Sequence, residues 1–240
     1  MTGRKQIHEA IARRATHRDP EDVRRTVSLA NGERLFGHEY HGRFLIELLQ
    51  NAADAWDARA GQRDRSRIEI AIAEGPVLLV ANEGESFPAS VVIKSLGHIG
   101  RSTKTEGKAI GHKGIGFKSV LEMSAMPEIY SGLGSAEPEL AVQFDPRNAL
   151  ENIHEASPDW STLAADHVSE ADRNELALVP VLQFPMWVDT LPADVQDLAE
   201  RGFETVIRIP GGGGRDRRSH RCQGGRGALV SSSCDSDDGK

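Results

Sequence analysis

Residues 1–36 read as charged, amphipathic helix, ending near the turn signal Asn31-Gly32. A clear helical period occupies 38–60 and is closed by a polar break at 61–66. The period then changes to two. RIEIAIAEG sets Ile68, Ile70 and Ile72 on one side, and VLLVANEG runs apolar into a glycine turn, which predicts two strands of an antiparallel sheet. PASVVIKSLGH (88–98) predicts a short helix with proline in its first turn. Residues 99–118, rich in glycine and lysine, predict a loop that opens into a helix around Lys118–Ser124. Further strands are predicted at PEIYSG (127–132), LAVQFD (140–145) and ETVIRIP (204–210). Between the last two lie short polar helical pieces and the proline-bounded PVLQFP.

From Gly211 onward the pattern disappears. The segment 211–240 is rich in Gly, Ser and Arg, has no aromatic residue, and cannot bury enough surface to offset its ordering entropy. It reads as a disordered tail, or as the product of a truncated or frame-shifted reading frame. The organisation expected is a helical segment over 1–36, a folded domain over 37–210 and this tail. Both cysteines, Cys222 and Cys234, fall in the tail, which excludes a disulfide scaffold and a cysteine-ligated zinc site in the body. With 29 basic and 36 acidic residues the net charge is −7, so bulk electrostatics give no strong nucleic-acid signal. No apolar run approaches a membrane span, and a cytoplasmic location is the expectation.

Candidate chemistry first appears in FLIELLQNAADAW (44–56). At about 100° per residue, Glu47, Asn51 and Asp54 fall within a sector of ~60°. Leu45, Leu48, Leu49, Ala52 and Trp56 take the opposite side. A row of carboxylate, amide and carboxylate is equally readable as an ordinary solvated face. Small Ala52, Ala53 and Ala55 leave room for a close approach. An amide oxygen suits Mg²⁺, and a carboxylate one turn earlier suits proton acceptance from water.

The second candidate is GRSTKTEGKAIGHKGIGFKS (100–119). Gly111, Gly114 and Gly116 precede a helix, and Arg101, Lys104, Lys108, Lys113 and Lys118 concentrate positive charge. Such a loop turns backbone N–H groups toward an anion, with the helix dipole behind them. It is not a Walker A loop, and a mobile surface loop is the plain alternative. His38, His41, His98 and His112 make no H-E-x-x-H or comparable metal spacing.

Taken together, ELLQNAADA (47–55), the NEG turn (82–84), IGRSTK with IGHKGIGFKSV, and the late ETVIRIP strand resemble the GHKL superfamily over roughly residues 35–210. Within it, IGHKGIGFKSVLEMSAMPEIYSG is similar to the sacsin and NO VEIN-like branch of the heat shock protein 90-like ATPases. The resemblance implies an α/β (α+β) two-layer sandwich of the Bergerat type, with a mixed, mainly antiparallel sheet covered on one face by helices. It implies ATP and Mg²⁺ as cofactors. Glu47 matches the general base, Asn51 the Mg²⁺ ligand, and Asp54 and Ala55 the end of the first motif. Asn82 and Gly84 match the base-recognising turn, and Ser102 and Lys104 the lid entrance. Gly111, His112, Lys113, Gly114, Ile115, Gly116 and Phe117 match the phosphate loop, and Thr205 the late-strand threonine near adenine. A protein client or a downstream effector domain follows as a partner class, and homodimerisation is compatible with the resemblance.

One departure bears on the ligand. The second motif usually begins Asp-x-Gly, whereas this chain has Asn82-Glu83-Gly84. An amide can still accept from an adenine amino group, but without charge assistance, and it can also donate to a carbonyl. ATP binding with reduced affinity and slow hydrolysis is the leading expectation. The alternatives are a non-catalytic nucleotide-gated binding module and a truncated fragment of a larger sacsin-like protein. A histidine kinase core fits less well, because N-x-x-D-A is foreign to it.

Overall fold

The computed structural model describes residues 2–39, 42–58, 66–96, 116–167 and 174–211. Helix α1 spans Gly3–Ala15 and α2 spans Pro20–Glu39. Asp19 starts α2 by accepting from the N–H groups of Glu21 (2.9 Å) and Asp22 (3.0 Å), with Pro20 at the first helical position. The helix then runs straight through Asn31-Gly32, where the sequence predicted its end. Val23, Thr26, Val27, Ala30 and Glu33 are all buried, so one continuous packed stripe outweighs the local turn preference of Asn-Gly.

Helix α3 covers Phe44–Ala58 and is followed by the hairpin of β1 (Ile68–Ala73) and β2 (Val77–Asn82). Gly75 supplies the left-handed residue of that turn at φ 79°. Next comes α4 (Ala89–Val91), continued by a π-helical turn over Val92–Leu96, with Pro88 just outside as the cap. A 3-10 helix at Gly116–Glu122 replaces the helix expected around Lys118–Ser124. The strands β3 (Glu128–Ser131) and β4 (Leu140–Phe144) lead into α5 (Pro146–Ala156) and α6 (Trp160–Ala164). Last come the short strand β5 (Pro185–Trp187), α7 (Ala193–Glu200) and β6 (Thr205–Pro210). The sequence did not reveal β5, a proline-led strand at the sheet edge. Most of the glycine loop, at 97–115, and the tail from 212 onward lie outside the described residues.

The sheet has six strands in the order β1-β2-β6-β3-β4-β5, and every described pairing is antiparallel. This is the α+β sandwich that the resemblance implied, with helices packed on both faces of the sheet and not on one alone. One face, carrying Val80, Ile209, Ile129, Leu140, Val142 and Phe144, shares a core with buried residues of α1, α2 and α3. On the opposite face, α7 packs Val195 and Leu198 against Val77, Leu79, Ala81, Tyr130, Ala141 and Val206. β6 is the last strand in sequence, yet it is inserted between β2 and β3 near the middle of the sheet. That insertion brings the end of β2, the start of β6 and the end of β3 into one row.

Candidate functional site

Register defines this row. Asn82 pairs with Thr205, and Thr205 pairs with Ser131. Directly opposed residues of antiparallel strands project to the same side, here the face covered by α1–α3. The three are polar where their strand neighbours are apolar, and they are buried: 6% exposed for Asn82, 7% for Thr205 and 0% for Ser131. Ser131 Oγ accepts from Phe87 N–H (2.6 Å) and lies 2.6 Å from Thr205 Oγ1. Among the described residues, Asn82 Nδ2 is buried with no hydrogen-bond partner. An orphaned buried amide costs about 1–3 kcal/mol unless something accepts from it; Ser66 Oγ and Trp160 Nε1 are likewise buried without a partner among the described residues.

Helix α3 lies over this end of the sheet. Its apolar side buries Leu48 and Ala52, while Glu47, Asn51, Asp54 and Ala55 are half-buried. The contact with the turn after β2 is close. Ala55 carbonyl oxygen accepts from Glu85 N–H at 2.8 Å. A Cβ added to Gly84 would stand 2.7 Å from Ala55 Cβ and 2.8 Å from its carbonyl carbon, which is why a glycine occupies position 84. The end of the first sequence motif and the glycine of the second are thus in direct contact. Thr205 of the late strand stands one strand away from Asn82.

Arg67 holds this turn from the other side, a residue the sequence reading did not single out. Its Nε and Nη2 donate to Glu83 Oε1 at 2.7 and 2.6 Å, and its backbone N–H donates to Glu83 Oε2 at 3.2 Å. Arg67 also donates to the Arg201 carbonyl at 2.7 Å and stacks 4.8 Å from the Phe203 ring centre. Glu204 N–H donates to the Asn82 carbonyl at 3.0 Å, tying the turn to β6. Ser131 was also missed. In PEIYSG it alternates with buried Ile129, so a polar side chain on an inward position was the available signal.

The glycine loop divides differently. Ser102, Lys104, Gly111, His112, Lys113, Gly114 and Ile115 lie outside the described residues. Gly116 opens the 3-10 helix. Phe117 is buried in the core against Phe144, with ring centres 6.0 Å apart. Lys118, counted among the loop cations in the sequence, turns inward and is 1% exposed. Burial pulls its pKa down, while the nearby Glu33 charge opposes that. Burial pushes the Glu33 carboxyl up to about 8, against the N–H of Leu182 (3.3 Å) and the charges of Lys118 and Arg14. Arg14 completes this buried group by donating to the carbonyls of Gln183 (2.7 Å) and Ile93.

No three His, Cys, Asp or Glu side chains gather as a metal-binding set among the described residues. No helix among them is long and apolar enough to cross a membrane. An open groove of about 530 Å³ between α1, α5 and β5, lined by Arg4, His8, Asn152 and Trp187 among others, holds none of the candidate residues.

Fold and site together define an α+β sandwich domain with a buried polar row beneath an acid- and amide-bearing helix. Residues 37–184 match the Sacsin domain family, and the chain belongs to that family. It is also similar to Protein NO VEIN of Arabidopsis thaliana, 34% identical over 100 residues. That match covers 41% of this chain and 3% of NO VEIN, so the chain corresponds to a small part of that relative.

Proposed function

We propose that this Sacsin-family domain is an Mg²⁺-dependent ATP-binding domain of the GHKL, heat shock protein 90-like kind, with slow hydrolysis. The observation that carries the reading is the meeting of Ala55, Asn82, Gly84 and Thr205 at one end of the sheet. Asn82 and Thr205 there present buried polar groups, one of them orphaned. These four came from three separate sequence motifs. Asn82 and Thr205 would receive the base, and the close Gly84–Ala55 contact fixes the wall beside it.

Asn51 would hold Mg²⁺ together with phosphate oxygens and water, since Mg²⁺ takes few protein ligands. The bound ion would neutralise phosphate charge. Glu47, one turn before Asn51 on the same side of α3, would orient and deprotonate the attacking water. The glycine loop would supply phosphate contacts through its backbone. Phe117 and Lys118 serve a different purpose in this reading: both are core residues that anchor the loop's exit.

Calorimetric titration of ATP into the chain, with and without Mg²⁺, tests the proposal. Saturable binding that requires Mg²⁺ and weakens at least tenfold in Asn51→Ala is expected. Absence of binding by a folded chain refutes it. Glu47→Ala should retain binding and lose turnover. If turnover is already absent in the wild type while binding persists, the domain is a non-catalytic nucleotide-gated binding module.

A further inference from the structure

The polar row contains a feature that the nucleotide reading leaves unused. Ser131 is fully buried and already accepts from Phe87 N–H. Its own proton needs an acceptor, and the one at hand is Thr205 Oγ1 at 2.6 Å. Either hydroxyl can donate across this pair, and donation from Ser131 to Thr205 is the arrangement that leaves no proton of the fully buried Ser131 without an acceptor. The Thr205 hydroxyl is left with one proton and one lone pair for a ligand, so it can donate or accept. Beside it in register, Asn82 is an amide whose Nδ2 is held by no described partner. Half a turn of that amide exchanges donor and acceptor without breaking any bond to Nδ2.

We infer, resting on the nucleotide reading, that Asn82 and Thr205 make the base site accept purines carrying either a 6-amino or a 6-oxo group. A 6-aminopurine offers a donor at position 6 and an acceptor at N1. A 6-oxopurine offers the reverse, an acceptor at position 6 and a donor at N1. Two neighbouring groups that can each reverse polarity satisfy both edges equally. A carboxylate at position 82 could only accept, and it would leave the 6-oxo oxygen facing a negative charge. The Gly84–Ala55 packing and the Arg67–Glu83 clamp hold the backbone of position 82 still, so the selectivity resides in the side chain.

The test is calorimetric binding of ATP and inosine triphosphate, each with Mg²⁺, to the full 240-residue chain and to Asn82→Asp. Inosine triphosphate differs from ATP only along the edge in question. Dissociation constants within about fivefold of each other are expected for the wild type. In Asn82→Asp, inosine triphosphate should weaken at least thirtyfold relative to ATP. Thr205→Val, which keeps the strand packing, should weaken both nucleotides by a similar factor and leave their ratio unchanged. A wild-type preference for ATP above thirtyfold overturns the inference while the nucleotide site stands. An unchanged ratio in Asn82→Asp also overturns it, as does a Thr205→Val effect confined to one nucleotide. If a folded wild-type chain binds neither nucleotide, the nucleotide reading fails and this inference fails with it.

Discussion

Gly84→Ala isolates the contact on which the site's geometry depends. The new methyl would stand 2.7 Å from Ala55 Cβ, 2.8 Å from Ala55 carbonyl carbon and 3.0 Å from its oxygen. Carbon atoms settle near 3.5–4.0 Å, so α3 and the turn must separate by roughly 0.7–1 Å. Two of those three atoms are helix backbone, which cannot rotate away as a flexible side chain would. Overpacking of this kind costs about 1–3 kcal/mol, and loss of glycine's unfolded-state freedom returns about 0.4–1 kcal/mol. The net expectation is about 0–2.6 kcal/mol with a midpoint of ~1.3 kcal/mol, or a fall in Tm of ~3–5 °C at ~2–4 °C per kcal/mol.

Two comparisons separate crowding from other causes. Ala55→Gly in the Gly84→Ala background removes the methyl contact but adds the roughly 0.5–1 kcal/mol cost of a glycine within α3, so it should recover less than half of the loss. Gly75→Ala has nothing within 4 Å of its Cβ but a φ of +79°, so it should cost about 1 kcal/mol through backbone strain alone. The sensitive local readout is hydrogen exchange at the Glu85 amide, whose bond to Ala55 measures 2.8 Å. Gly84→Ala should speed that exchange, and Gly75→Ala should leave it unchanged. A Gly84→Ala protein with Tm within 1 °C of wild type and unaltered Glu85 protection would refute the tight-contact reasoning.

Two further outcomes follow from buried charge. Arg208 donates to Glu128 Oε1 at 2.9 Å and to Asp194 Oδ2 at 3.0 Å, and Glu128 also accepts from Tyr130 O–H at 2.7 Å. Because Arg208 is partly exposed, Arg208→Met should destabilise toward the lower end of ~3–5 kcal/mol by leaving Glu128 underpaired, as measured by urea unfolding. Glu33, with its carboxyl raised from 4.5 to about 8, binds a proton in the folded state that the unfolded chain has released. Its contribution is therefore full below pH 4.5 and is lost as pH rises toward 8, at no more than ~1.4 kcal/mol per pH unit. Glu33→Gln should flatten that decline between pH 5 and 8, and parallel stability profiles would count against it.

How far the sequence revealed this fold depended on how local each determinant was. The β1–β2 hairpin was legible because alternation and a glycine turn lie within fifteen residues, and both strands pair as expected. The alternation did not reveal burial. Ile68, Ile70 and Ile72 oppose Asn82, Val80 and Leu78 on the helix-covered face, yet they are 39%, 46% and 80% exposed because β1 is the sheet's edge. Asn31-Gly32 misled for the converse reason: a strong local turn signal sat inside a helix held by distant packing. The site shows the same division. Glu47, Asn51 and Asp54 share one helix, so their common face followed from periodicity, while Ala55 was marked by the resemblance. Arg67 and Ser131 gave no comparable signal, since their roles depend on strand order. Ser131 meets Thr205 only because β6 enters the sheet between β2 and β3, a non-sequential placement that no local pattern encodes. The same insertion sets Asn82 beside Thr205, with the Ser131 hydroxyl 2.6 Å from Thr205 Oγ1 on the other side. A motif comparison that stops at Asn82 and Thr205 therefore omits a buried hydroxyl that is hydrogen-bonded to Thr205.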